Sequence, residues 1–354
     1  MAAAREYVTA VRPAPGTTPS RIGAGHVRGS SERSRSGGDE ARTSGAAPPP
    51  PGAGPAAGTI ATRRDRGRHA RRRLRRLRDA DLVVVSFRKS GRTWLRAMLS
   101  HLCHRRYGVP EGELLEFDNL HRLDPRIPRV FFTHDLPWDP WNRWWRRLLR
   151  PEPFRGKRVL LLVRDPRDAT VSLHFQLAKR EPPGQRRRER LPAAGVPPLA
   201  EFLLDPRHGQ LARCVAFLNR WAARSRKLPG VVLLRYEDLH ADAAGGLRRA
   251  AGLLGDFAEE EIRAAVAFAA FDSLREKEAR GFFRSGRLRP GDPGDPDSFK
   301  VRRGRVGGWR DYLTAEQAAR VDDLVAARLD PALGYGAGRP PAPPPRAGRS
   351  PRTG

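Results

Sequence analysis

LVVVSFRKSGRTWLRAML, residues 82–99, runs from an apolar strand through a Lys-Ser-Gly turn into a helix. Leu82 and the β-branched Val83, Val84 and Val85 make a short run that is apolar on both faces, the pattern of a buried parallel strand. Trp94, Leu95, Met98, Leu99 and Leu102 then recur at three- and four-residue spacing, which predicts a helix. Between them, Arg88 to Thr93 carry two Arg, one Lys and two hydroxyls. A turn of this kind aims backbone N–H groups and a Lys at a helix N-terminus, where phosphate binds. The Walker pattern GxxxxGK[ST] is absent, so the expectation is a P-loop-like phosphate-binding strand-loop-helix outside the ordinary ATPase class.

Around this stretch, strands and helices alternate. Residues 129–133, 159–163 and 231–235 are further apolar strands. Helical patterns cover about 166–180, 209–226, 243–255, 258–270 and 314–329. This order predicts an α/β single domain, a central parallel sheet with helices on both faces. Residues 181–197 and 284–305, rich in Arg, Gly and Pro, are expected to be irregular loops that serve as lids or are disordered. Residues 1–78 are poor in apolar residues and rich in Arg, Pro and Gly, and are expected to be a disordered tail. The folded domain is placed at 79–335, and 336–354 is read as a second disordered tail.

The 354-residue chain has a formal net charge of +29, and only six of its 68 basic residues are Lys. So Arg-heavy a composition also fits GC-rich coding, so the charge alone does not call for a nucleic-acid partner, and no specific one is expected. Cys103 and Cys214 stand far apart with no CxxC, which excludes a disulfide framework and leaves a reducing cytoplasm as the expected location. His101, Cys103 and His104 have no second cluster to complete a metal site. HExxH, GxSxG and CxxCH are absent. No apolar run approaches the ~20 residues of a membrane span.

In an open α/β sheet, ligands bind beyond the carboxyl ends of the strands. Here those ends carry Lys89-Ser90-Gly91-Arg92-Thr93-Trp94, then Thr133-His134-Asp135, then Arg164-Asp165-Pro166-Arg167-Asp168 with Ser172, then Tyr236-Glu237-Asp238. Basic and hydroxyl groups, one His and one Tyr are thereby expected to converge. Each has a plainer reading: Asp165 as a helix N-cap, Tyr236 as the start of a helix, His134 as an idle strand-end residue. Coincidence at all four ends is the weaker account.

In order and content these motifs, with Arg302-Arg303-Gly304-Arg305-Val306-Gly307-Gly308-Trp309, resemble the soluble PAPS-dependent sulfotransferases, over roughly residues 80–330. The resemblance implies a sulfotransferase that moves the sulfuryl group of PAPS (3′-phosphoadenylyl sulfate) to a hydroxyl or amine of an acceptor, without a metal. It implies that Lys89, Ser90, Gly91, Arg92 and Thr93 surround the 5′-phosphosulfate, with Lys89 also stabilising the leaving PAP. Arg164 and Ser172 would bind the 3′-phosphate, with Arg302, Arg303 and Gly304 closing over it. Trp94 and Phe271 would sandwich the adenine, Tyr236 would approach it, and His134 would be the general base. Three positions depart from the family pattern: Phe132 where Lys is common, Arg92 where Thr is common and Gly308 where Asp is common. The neighbours of Phe271, namely Ala269, Ala270 and Asp272, also differ.

The acceptor is expected to be a small molecule or glycan; a homo-oligomer is compatible with the sequence. The stripe Trp138, Trp141 and Trp145, with Trp144, either packs a lid or stacks on the acceptor. Two other readings compete. A P-loop-type kinase would need a Walker loop and acidic Mg²⁺ ligands, for which Asp165 and Asp168 are the candidates. A nucleic-acid-binding protein would work through the Arg-rich tail, whose residues 63–78 have no aromatic.

Overall fold

Four short apolar runs become four parallel strands, β1 (Leu82–Ser86), β2 (Val130–Thr133), β3 (Arg158–Val163) and β4 (Val231–Arg235). Their order across the sheet is β2-β1-β3-β4, so β1 and β3 are central. All five β1 residues are buried, which is why Leu82 to Val85 are apolar without alternation, Ser86 at the end being the one polar member. The computed structural model describes residues 63–135, 152–181, 191, 195–206 and 209–336.

The helices are α1 (Arg63–Asp79), α2 (Arg92–Tyr107), α3 (Pro166–Lys179), α4 (Leu199–Leu204), α5 (Gln210–Ser225), α6 (Tyr236–Ala241), α7 (Ala243–Ala251), α8 (Glu259–Phe268), α9 (Phe271–Ala279) and α10 (Ala315–Arg328). The two-residue period of the strands divides them between the faces. Val83, Val85, Val159, Leu161 and Val163 pack with Leu173 of α3, Trp221 of α5 and Val321 of α10. Leu82, Val84, Leu160, Leu162 and Leu234 pack with Met98 of α2, Leu247 of α7 and Ile262 of α8. The expected doubly covered parallel sheet is therefore present.

One expectation needs correcting. Residues 63–78, assigned to a disordered tail, form nearly all of α1, and Leu77 is buried in the core. Lys157 pins the end of this helix by donating to the Ala80 carbonyl at 3.0 Å and to the carbonyl of Arg78. The mean composition of 78 residues hid the local signal: Arg is a good helix former, and one buried Leu docks the last turn. Residues 1–62, the tail 337–354 and the four Trp residues between 138 and 145 lie outside the described residues.

Most of 284–305 is irregular, with one-turn 3₁₀ segments at Gly286–Leu288 and Pro296–Ser298. Arg275 of α9 anchors it by donating to the carbonyls of Val301 at 2.6 Å and Arg302 at 3.1 Å. Of the other irregular stretch, residues 182–190 and 192–194 lie outside the described residues.

Candidate active site

The turn after β1 is shaped by two left-handed residues. Gly91 (φ 88°) caps the start of α2, and Lys89 (φ 66°) adopts the same region despite its side chain. A Cβ at Gly91 would lie 2.5 Å from Cδ2 of Tyr236, so only glycine lets this ring cover the turn. Gly304 (φ 61°) repeats the device on the opposite wall, where a Cβ would lie 2.7 Å from Cδ2 of Phe271. Between the walls is a cavity of about 800 Å³. It is lined by Lys89, Gly91, Arg92, Thr93, Trp94, His134, Arg164, Ser172, Tyr236, Phe271, Arg302, Arg303 and Gly304. Of the residues to which the resemblance gives a catalytic or donor-binding role, Ser90 alone is not on the lining; it is buried beneath the turn, and its Oγ has no partner among the described residues.

Ten of the described lining residues are Lys or Arg and two are carboxylates. Lys89 Nζ donates to Oε1 of Gln176 at 3.1 Å, and Lys300 Nζ donates to the same oxygen at 2.7 Å. Two ammonium groups that share one neutral acceptor repel each other. Burial, then Lys300, Arg180, Arg164 and Arg302, holds Lys89 well below the usual lysine range. Burial, then Arg180, Arg88 and Arg92, lowers Lys300 to about 7, with Glu181 opposing. Both side chains keep contact with cavity solvent, which moderates the burial effect without reversing it.

Arg164 donates to the carbonyls of Lys89 at 3.2 Å and Arg305 at 3.1 Å, and its guanidinium stacks 4.2 Å from the centre of the Tyr236 ring. Its neighbour Arg167 points elsewhere, to Asp165 and Asp322, and ties α3 to α10. Asp168 accepts from the N–H groups of Gly307 at 2.7 Å and Trp309 at 3.0 Å, fixing the late glycine-rich loop to the first turn of α3. Glu237 accepts from the N–H of Asp165 at 2.9 Å and the hydroxyl of Tyr335 at 2.7 Å. Within each motif, then, one residue faces the cavity and another braces it. Trp94 donates from its indole to the Ala269 carbonyl at 2.9 Å and meets Tyr236 edge-on, and Phe271 is 39% exposed at the cavity.

His134 follows β2. Its Nδ1 lies 2.8 Å from the Ser86 carbonyl, and its Nε2 lies 2.6 Å from Nη2 of Arg92. A carbonyl only accepts, so Nδ1 carries the proton and Nε2 holds the lone pair. His134 is exposed, with its ring on the cavity lining. The protein packed around the ring first, and then the Arg92 charge, lower its pKa below 6.5, an effect that solvent at the exposed face moderates without reversing. The neutral imidazole is therefore the favoured form.

Four contributors were missed in the sequence. Lys300 lies two residues before the quoted late motif and is one of only six Lys. Gln176 sits one helical turn beyond Ser172. His240 donates from Nε2 to the Gly304 carbonyl at 2.7 Å. Arg73 of α1 donates to Oγ1 of Thr133 at 2.7 Å and to the Asp135 carbonyl, and lines the cavity. Among the described residues, no three His, Cys, Asp or Glu side chains cluster as a metal site, and no helix is long and apolar enough to cross a membrane.

A sulfotransferase domain model matches residues 79–331. The chain belongs to the sulfotransferase domain family. Over 278 residues it is 28% identical to cytosolic sulfotransferase 17 of Arabidopsis thaliana, covering 70% of this chain and 74% of that one. It is 24% identical to a 3-alpha-hydroxysteroid sulfotransferase of Cavia porcellus over 272 residues, 72% of this chain and 85% of the other. A mouse sulfotransferase crystallised with PAP aligns with a TM-score of 0.46 and 20% identity, over 73% of this chain and 89% of that one. Family membership makes this chain a sulfotransferase and displaces the kinase reading.

Proposed function

We propose that this sulfotransferase takes its sulfuryl group from PAPS and passes it to a hydroxyl, or an amine, of a small-molecule or glycan acceptor, with His134 as general base. The observation that carries this reading is the His134 tautomer: Nδ1–H is held by the Ser86 carbonyl, and the Nε2 lone pair is turned to a cavity walled by cations. The residues present suit a donor of this kind. The cationic excess matches a polyanion, and Ser90 Oγ, Arg92 Nη1 and Arg164 Nε are buried beside the turn without partners among the described residues. Lys89 and the α2 N-terminus would hold the 5′ end, Arg164, Ser172, Arg302, Arg303 and Gly304 the 3′-phosphate, and Trp94, Tyr236 and Phe271 the base.

When bound, PAPS supplies an electrophilic sulfur joined to a phosphate leaving group. His134 Nε2 takes the proton of the acceptor hydroxyl as its oxygen bonds to that sulfur. Lys89 neutralises the phosphate oxygen released when the sulfur–oxygen bond breaks. The transition state of such a transfer is loose, so positioning and cationic stabilisation carry most of the rate. A hydroxyl acceptor agrees with the hydroxysteroid relative. The name of the Arabidopsis relative supports a cytosolic location.

The test is a screen of labelled PAPS against phenols, steroids, sugars and amines, run beside His134→Ala. Transfer by the wild type that falls ~10²–10⁴-fold in the variant, with PAP affinity kept, is the expected result. A variant with wild-type turnover would remove His134 as the base.

A further inference from the structure

The nitrogen that must accept the acceptor's proton is already engaged. Arg92 is the first residue of α2, and its Nη2–H donates to Nε2 of His134 at 2.6 Å. The ring has no other lone pair to offer, because Nδ1 is protonated and bonded to Ser86. While this bond stands, no hydroxyl can pass its proton to His134.

The bond is also one that an anion breaks readily. It joins a cation to a neutral ring, whereas an anion at the same guanidinium offers charge-assisted, two-pronged pairing. Arg92 stands among like charges, with Arg96, Arg287 and Arg88 acting on it and Glu116 opposing, and its Nη1 is buried without a partner among the described residues. It starts the helix whose N-terminus completes the Lys89–Thr93 turn, so an anion in that turn lies within reach of the guanidinium by a side-chain rotation.

We propose that Arg92 is a donor-responsive cap on the base: it blocks Nε2 of His134 until an anionic donor in the turn draws the guanidinium away. The consequence is an order of events. The donor binds first, and only then can the acceptor hydroxyl take up its hydrogen bond to Nε2. The proposal rests on the reading of His134 as base and of the turn as donor site. Arg92 acts here through His134 and is a positioning residue.

Among the described residues, the charged groups that act most on His134 are Arg92 from α2, Arg88 from the turn after β1 and Lys300 from the late segment; the Ser86 carbonyl faces its other nitrogen. Removing Arg92 takes away a like charge, and the His134 imidazole should then titrate higher. The experiment follows the His134 imidazole by NMR titration of the full chain, assigned with His134→Gln, with and without PAP. Wild type, Arg92→Thr and Arg92→Gln are compared, so that one misfolded variant does not stop the test. Bound PAP raises the His134 pKa in every protein through its own charge, but in wild type the rise should be larger, because the cap also leaves.

Acylation of His134 by diethyl pyrocarbonate, read peptide by peptide, gives a second measure. Without nucleotide it should be several-fold faster in the Arg92 variants than in wild type. An equal rise on PAP binding in wild type and variants, or acylation no faster without Arg92, would overturn the cap. Failure of PAP to bind at all would instead overturn the donor site on which the proposal rests.

Discussion

Binding of PAP should draw protons into the protein, and Lys300 sets the amount. With its pKa lowered to about 7, Lys300 is mostly neutral above that pH in the free protein. Burial is the first cause of that lowering and repulsion from Arg180, Arg88 and Arg92 the next; a polyanion paired with the ammonium opposes both and raises it toward its ordinary value of 10.5. At pH 8 a group of pKa about 7 is roughly one-tenth charged, so its restoration takes up about 0.9 proton. At pH 6 the same group takes up only about 0.1. Lys89, held low by burial and then by Lys300, Arg180, Arg164 and Arg302, adds in the same direction. The phosphates of PAP, with second pKa values near 6, are already ionised at pH 8 and contribute little.

Calorimetric titration at pH 8 in buffers of different ionisation enthalpy measures this uptake directly. Lys300→Met should lower it by about 0.9 proton, and PAP affinity in wild type should weaken as pH rises above 7. The sign for folding is the reverse. Between pH 7 and 10.5 the unfolded chain binds the Lys300 proton and the native chain does not, so the free protein gains stability as pH rises through that window. An uptake no larger in wild type than in Lys300→Met would refute the reasoning.

Other substitutions test separate parts of the site. Gly91→Ala forces an alanine to φ 88° and its Cβ against Tyr236, and should cost about 1–3 kcal/mol in denaturant unfolding along with PAP affinity. Asp168→Asn leaves one of the Gly307 and Trp309 N–H groups without its acceptor; it should weaken PAP binding, read by titration, more than it lowers the melting temperature of the free protein. Leu77→Ala should cost about 2–5 kcal/mol if α1 belongs to the domain core, and an unchanged denaturation midpoint would return residues 63–78 to the tail.

The parallel sheet was legible because its strands are buried on both faces and therefore spell uninterrupted apolar runs, and because helical periodicity fills the intervals. The cavity lining was legible for a related reason. In such a sheet every strand delivers its following residues to one edge, so Lys89, His134, Arg164 and Tyr236 were expected together without any knowledge of distance. Which member of a motif faces the cavity came from the family resemblance and not from the residue pattern itself: Arg164 does and Arg167 does not, because helix phase at the start of α3 turns one toward Tyr236 and the other toward Asp322.

The local sequence also determined that residues 89–93 turn sharply into a helix. Only the tertiary structure decided that Gly91 must be glycine, since the constraint is the Tyr236 ring, 145 positions away. The same holds for Lys300, Gln176 and Arg73, whose roles arise from the meeting of a late loop, a helix face and an N-terminal helix. Periodicity and turn chemistry are local and written along the chain. Repulsion between Lys89 and Lys300 across one glutamine oxygen, and the Arg92 guanidinium on the His134 lone pair, depend on distances of a few ångströms between remote segments, which only folding sets.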